Sequence, residues 1–479
     1  MLKSLIKSKA IPVVFLALFI SSTAFSADCV AIIGGGIAGL SAQHELAKNG
    51  ICSHIYEAAD RWGGRVRTGP SVDGIYTNAG AEFVDSTHSH VLSYMREFNI
   101  PLNPRTSPPH YQSDHFIYQG RVFTHDEVNE RIFKDNPLAI SRLLADEGNA
   151  AKHASLVHMN LDQYLNSLGF DGFAKSFFTT ELKLEVGLDT KGMSAATFAE
   201  LFRFDPNARS LRFLPENDEA YRVMGGTQRI VDALHFQHPT GVDLQTKLTS
   251  ISSSDGKTFH LAFATPQGER NLAAHDVIIT VPFHQLKDVH LNVGPIPSDV
   301  SAAISHTTYG KHTKLVIYFN RRMWNEAGHT GDIVSDKGYQ IFDSSHGQPG
   351  KSGSLTAYIG DTLEPAQQEA KVKQVLGDLE KLFPGISKTY TTSQAFSYEH
   401  SYTGMAGVSE NALIPKRPTQ LGKHIFFAGE GISMTDPGYM NGAIGTAKDA
   451  VDKISTARNA ETVIRRSRCI MQAIAPALH

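Results

Sequence analysis

Cysteine and tryptophan are scarce in this chain of 479 residues, which has three of the first and two of the second. Three cysteines cannot hold together a disulfide scaffold, so the fold has to rest on apolar burial. An excess of one charge is also lacking: the formal net charge is −3, so there is no overall basic field and nucleic acid is not an expected partner. Paired metal-ligand spacing is missing too. His110, His115, His125, His153 and His158 lack close paired spacing with acids or cysteines, which reads as scattered surface histidines with no metal site. No low-complexity tract interrupts the chain, and with 41% apolar residues it is long enough for a large core divided between two domains.

A membrane-spanning run is the last thing missing. The apolar stretch Ile11 to Ile20 has ten residues, against roughly 20 needed to cross a bilayer. It follows a lysine-bearing start, Met1 to Lys9, and precedes the small-residue exit Ser21 to Ala27. This is the pattern of a secretory signal (1–26) cleaved after Ser26, and it predicts a periplasmic or secreted protein whose mature chain has no spanning segment. No twin-arginine pair precedes the run, which sets export in tension with any cofactor acquired inside the cell.

What is present is organised around Asp28 to Thr68. A short apolar strand ends in Gly34-Gly35-Gly36-Ile37-Ala38-Gly39, an amphipathic helix follows and stops at Asn49-Gly50, and a second strand closes on Glu57, 57 − 34 = 23 positions after Gly34. Gly34 permits the tight turn, Gly36 lets the backbone approach a pyrophosphate, and Gly39 lets helix and strand pack closely. The helix N-terminus offers free N–H groups to phosphate, and the Glu57 carboxylate suits ribose hydroxyls. Ala58 follows directly, and then Arg61-Trp62-Gly63-Gly64-Arg65-Val66-Arg67-Thr68, a glycine doublet between arginines that can wrap the same pyrophosphate.

These residues resemble the FAD-binding signature of the flavin-containing amine oxidase superfamily, which includes monoamine, polyamine and L-amino-acid oxidases. The resemblance returns as far as Ile454. It implies an α/β fold: a Rossmann-like FAD-binding domain built from 27–90, 218–285 and 422–456, an interleaved α+β substrate domain from 91–217 and 286–421, and a C-terminal tail from 457–479. Further cofactor contacts are implied at Gly80, Ala81, Glu82 and Phe83, at Leu248 through its backbone, and at Gly429, Glu430, Tyr439, Met440 and Ala443. Gly225-Gly226 resembles the doublet where the chain returns to the FAD domain. Val242 to Leu248, Phe259 to Thr265 and Val277 to Val281 read as strands of one small sheet with a turn at Asp255-Gly256. From Pro101 to Phe213 the pattern is polar and mostly helical.

For the chemistry, Lys311 to Phe319 with Trp324 matches the monoamine oxidase segment whose buried lysine holds a water against flavin N5, and Lys314 is the matching position. Read without the resemblance, it is a strand-end surface lysine. Tyr439 matches one wall of the aromatic cage, where its ring can stack on an amine. The positions of the flavin-linking cysteine and the opposite wall read Ala406 and Gly407, so FAD is expected to be non-covalent and the cage incomplete. Phe83 stands where L-amino-acid oxidases place a carboxylate-binding arginine, which argues against an amino acid. Asp85 stands where polyamine oxidases carry an acid, so Phe83, Asp85 and Tyr439 are candidate substrate contacts; Asp85 also reads as a solvated turn residue or a helix cap.

The implied reaction is oxidation of an amine by FAD, with O2 as acceptor and small-molecule partners only; a homodimer is left open. The alternatives are a desaturase or porphyrinogen-type oxidase, and a flavin-bound interaction protein without turnover. Finally, Cys29 and Cys52 each lie five residues before an end of the nucleotide unit (34 − 29 = 57 − 52). That places them side by side on neighbouring parallel strands, either as a strained disulfide or as two small buried residues. Cys469 is left over in either case.

Overall fold

A computed structural model describes residues 26–474 apart from 113–114, 148, 206, 208, 214–217 and 403–416. Residues 1–25 of the expected signal segment 1–26, and Ala406 and Gly407, lie outside the described residues.

The nucleotide unit folds as its sequence predicts: β1 (Val30–Ile33), α1 (Ile37–Lys48) and β2 (Ser53–Tyr56). All four residues of β1 are buried, as a strand covered on both faces of a parallel sheet requires. The sheet runs Val242–Asp243, β2, β1, Val277–Ile279, Ile425–Phe427, Gln420–Leu421, with five parallel strands and an antiparallel edge. Its register sets Val30 beside Ser53. The residues just before them, Cys29 and Cys52, are joined in a disulfide with Cα atoms 4.8 Å apart.

The small sheet differs from expectation. It contains Gly268–Ala274, Phe259–Thr265, Lys247–Ser252 and His290–Asn292. Val277–Ile279 instead lies between β1 and Ile425–Phe427, because its three consecutive buried residues suit the middle of a parallel sheet and leave no polar face for an outer one. The Asp255 turn forms as read, its carboxylate accepting from the amides of Lys257 and Thr258.

A seven-stranded sheet makes the second body: Tyr390–Tyr402, Gly310–Phe319, Gly353–Ile359, Tyr339–Asp343, Ile333–Ser335, His115–Tyr118 and Arg121–Phe123. Helices between His125 and Leu201 pack beside it over a phenylalanine-rich core that includes Phe173, Phe178, Phe198 and Phe202. His115, expected at the surface, is buried and bonded to His329 at 2.7 Å. The strand pairing that carries it there joins residues 115 to 333 and has no local sequence signal. Among the described residues no group of His, Cys, Asp and Glu can hold a metal ion, and no helix is long and apolar enough to cross a membrane.

A three-stranded sheet, Phe83–Val84, Tyr221–Val223 and Leu102–Pro104, brings distant stretches together. The last described element is one helix, Met440–Ile474, which carries the expected tail on from 457 to 474 as its continuation. Met440, Ala443, Ile444, Ala447, Val451 and Ile454 are all buried, as their spacing predicts.

Candidate active site

The glycine turn is shaped by contacts that exclude side chains. Gly34 has φ +106°, and a β-carbon at Gly39 would sit 2.0 Å from the Gly34 carbonyl. At Gly36 a β-carbon would meet no atom within 4 Å, so open space lies beside the start of α1. That helix has no side-chain cap, which leaves its N-terminal amides facing the space. Glu57 closes the turn from β2: its Oε2 accepts from the Gly35 amide at 2.6 Å and its Oε1 from Ala59 at 2.7 Å.

The arginine-flanked doublet ties this turn to the other cofactor candidates. Gly63 donates its amide to the Gly35 carbonyl at 2.8 Å, and Ala81 donates to Arg65 at 3.0 Å. A β-carbon on Gly80 would lie 1.8 Å from the Arg65 carbonyl, so Gly80 is required for that approach. Arg65 Nη1 then reaches Glu430 Oε1 at 2.6 Å. Gly34, Gly36, Gly39, Glu57, Gly64, Arg65, Gly80, Ala81, Gly429 and Glu430 thus line one continuous region, with Ile37, Ala38, Met440 and Ala443 packed in the core beneath it. Ala58 is exposed at its margin. Leu248 is buried in the core between the six-stranded and the four-stranded sheet, its backbone paired with Phe263.

Lys314 is no surface lysine. Its side chain is 7% exposed, and Nζ lies 2.6 Å from Glu82 Oε2. The other carboxylate oxygen of Glu82 takes Arg222 Nη2 at 2.5 Å and Asn78 Nδ2 at 3.2 Å. Burial pulls the pKa of the Lys314 ammonium down, while the Glu82 carboxylate opposes this. Burial works against ionisation of Glu82, but Lys314 and Arg222 prevail and hold its pKa below the usual range. Glu82 was expected at the cofactor; its carboxylate is occupied by the two cations. Tyr318 is buried on the same strand and face as Lys314, and Trp324 packs against the opposite face, its Nε1 donating to Asp343 at 2.9 Å.

Beyond Lys314 the wall is aromatic and acidic. The Phe83 ring meets Phe342 at 5.2 Å and carries the Arg105 guanidinium at 4.3 Å. That arginine is paired with Glu219 and Asp332. Asp85 is neither solvated nor a helix cap: it is 2% exposed, accepts from the Glu219 amide at 2.8 Å and lies 3.2 Å from His88 Nε2. Its burial follows from the three-stranded sheet, which folds 219–223 over it. The His88 ring in turn lies 5.3 Å from that of Tyr439. Glu185 stands one residue before the end of the helix Gly172–Val186, within electrostatic reach of Glu219, Asp85 and Tyr358. Burial pushes Glu185 up to about 7.

Sequence reasoning missed Arg222, Asn78, Arg105, Glu219 and Glu185. Arg222 offered a signal, a lone charge between Tyr221 and Val223 in a short strand; the others take their meaning from tertiary pairing.

A glycine turn opening on an uncapped helix, closed by an acid at the end of the next parallel strand, defines a dinucleotide-binding α/β protein. The sequence matches the flavin containing amine oxidoreductase family over residues 37–455, and the chain belongs to that family. Its cofactor is therefore a flavin. It is 26% identical over 361 residues to the L-amino-acid oxidase BmooLAAO-I of Bothrops moojeni, covering 71% of this chain and 70% of that protein. It is 22% identical over 457 residues to a flavin-containing amine oxidase of Oncorhynchus mykiss, covering 89% and 85%. The fold superposes on cyclohexylamine oxidase from Brevibacterium oxydans IH-35A with a TM-score of 0.75 at 18% identity, covering 91% of this chain and all of that one.

Proposed function

We propose that the chain binds FAD non-covalently and oxidises a mono- or polyamine, with O2 as the terminal acceptor. A primary amine, O2 and water give an aldehyde, ammonia and hydrogen peroxide: the α-hydrogen leaves carbon with two electrons, the nitrogen gives up one proton, both hydrogens end in the peroxide, and water then adds to the resulting imine. FAD, when bound, supplies the two-electron acceptor. The open space at Gly36 and the uncapped start of α1 fit its pyrophosphate, and Glu57 fits its adenosine ribose.

The observation that carries this reading is Lys314, a buried ammonium on a sheet face beside Phe342, within a wall that also holds Phe83, Glu219 and Glu185. Aromatic rings and carboxylates attract an amine, and no general base is needed when its reacting nitrogen enters deprotonated. Tyr439 supplies a further ring face. The Arg105 guanidinium is taken up by Glu219 and Asp332, which disfavours a substrate carboxylate. Lys314 would hold the water that attacks the imine. The disulfide between Cys29 and Cys52 supports export, since thiols pair and persist outside the cytosol.

Peroxide release from a panel of primary amines, diamines and L-amino acids, with a porphyrinogen as comparison, tests this assignment. Peroxide with amines alone supports it. Turnover confined to the porphyrinogen would identify the C–H oxidase alternative.

A further inference from the structure

Glu82, Arg222 and Lys314 reach one point from three separate elements. Lys314 lies in the middle of the strand Gly310–Phe319, Arg222 in Tyr221–Val223, and Glu82 directly before Phe83, which pairs with Arg222. Their side chains are 7%, 3% and 8% exposed, in the order Lys314, Arg222, Glu82. The Glu82 carboxylate binds one cation through each oxygen, at 2.6 Å and 2.5 Å. The Arg222 guanidinium is fixed from its other side by the Asp343 carbonyl at 3.2 Å, and Lys314 Nζ also lies 3.5 Å from the Asn78 carbonyl. Asn78 is locked in turn by the amide and hydroxyl of Thr227 at 2.9 and 3.1 Å.

An ion pair alone would bring no net charge. Two cations on one carboxylate leave a net charge of +1, and burial keeps water from screening it. Such a group costs several kcal/mol in desolvation and persists only where its geometry is complete. Here Glu82 has a cation on each oxygen and Arg222 has a second partner in the Asp343 carbonyl, while the buried Arg222 Nε has no hydrogen-bond partner among the described residues.

We propose that Glu82, held in place by Arg222, is a positioning residue that favours the ammonium form of Lys314, so that this chain presents a cation to its flavin site. The inference rests on the reading that Lys314 adjoins the flavin. A cation there stabilises the electron-rich reduced cofactor and eases electron uptake from the amine. The charged groups facing Lys314 are Glu82, Arg222 and Glu219, with His312 on its own strand. Of these only Glu82 touches the ammonium. Without it Arg222 is an unopposed neighbour, and the lysine gives up its proton at lower pH.

The test is the flavin midpoint potential of the FAD-loaded protein, followed between about pH 6 and 10, a window just below the ordinary lysine pKa. Glu82→Gln should move the Lys314 inflection to lower pH than in wild type, and Glu82→Gln with Lys314→Met should remove it. Lys314→Met and Arg222→Gln should each lower the reduced-to-oxidised ratio at a fixed potential on the order of tenfold, the scale of one unit charge a few ångströms away. Superimposable curves for wild type and Glu82→Gln would overturn the proposal, as would an inflection that survives in the double variant. If Glu82→Gln fails to hold FAD, Glu82→Asp and Arg222→Gln decide: a wild-type ratio in Arg222→Gln overturns the net-charge argument, and a tenfold loss there with wild-type behaviour in Glu82→Asp supports it. A wild-type potential in Lys314→Met sinks the prior reading that Lys314 adjoins the flavin, which separates that failure from the others.

Discussion

Glu57 and Gly35 are joined at 2.6 Å, carboxylate to backbone amide, across the gap between the second strand and the glycine turn. The bond makes the acid part of the turn. One Glu57 oxygen fixes the loop before α1 and the other fixes Ala59, so the side chain is already oriented when a nucleotide arrives. Replacing it by alanine removes two charge-assisted hydrogen bonds together with the ribose partner. Glu57→Ala should weaken FAD binding roughly 10- to 100-fold, as expected for a loss of about 1.5–3 kcal/mol. Fluorescence titration of apoprotein with FAD measures it.

Two glycines of the same turn should respond differently. Gly39→Ala places a methyl 2.0 Å from the Gly34 carbonyl and has to push β1 and α1 apart, so folded protein should be lost. Gly36→Ala meets no protein atom within 4 Å. It should melt within about 1 kcal/mol of wild type, as substitutions away from packed groups do. Yet its FAD affinity should fall, because the methyl occupies the space beside the helix N-terminus. Thermal melts of apoprotein paired with FAD titrations separate the two effects.

The Glu185 carboxylate, pushed up to about 7 by burial, holds its proton in the folded state after an unfolded chain has released it. Between its ordinary pKa of 4.5 and about 7 the folded state therefore binds more protons, and stability falls as pH rises through that window. Glu185→Gln should flatten this decline in chemical denaturation run from pH 5 to 8, a window bracketing the shift. A bound cation favours the ionised form, so KM for a diamine should fall as pH rises past 7 in wild type and lose that trend in Glu185→Gln.

The Cys29–Cys52 bridge closes a segment with a sequence separation of 23 residues around β1 and α1. Chain-entropy arguments give about 3 kcal/mol for a loop of that length. Changing both cysteines to alanine should lower stability on that order without altering FAD release on acid precipitation, because neither cysteine lines the glycine turn. Non-reducing peptide mapping checks the pairing itself; a Cys29 peptide recovered solely as free thiol would contradict it.

Much of this was legible in the sequence because it is local. The glycine turn, the strand carrying Lys314 and the buried face from Met440 to Ile454 each announce themselves within about a dozen residues, through φ requirements or periodicity. The rest depends on pairings between remote segments. Val277–Ile279 reads as well for an outer sheet as for the central one until its neighbours are known. Nothing in the stretch around Glu82 reveals that Lys314 and Arg222, 232 and 140 residues away, bind its carboxylate. Asp85 looked solvated for the same reason.

The central claim is that this protein takes electrons from an amine, and anaerobic mixing of the FAD-loaded protein with a panel of mono- and diamines tests it most directly. The account predicts bleaching of the visible flavin band by at least one amine, recovery of the band when O2 is admitted, and one hydrogen peroxide formed per carbonyl product. Flavin that stays oxidised with every amine while remaining bound would contradict it and leave a flavin-bound protein without amine turnover.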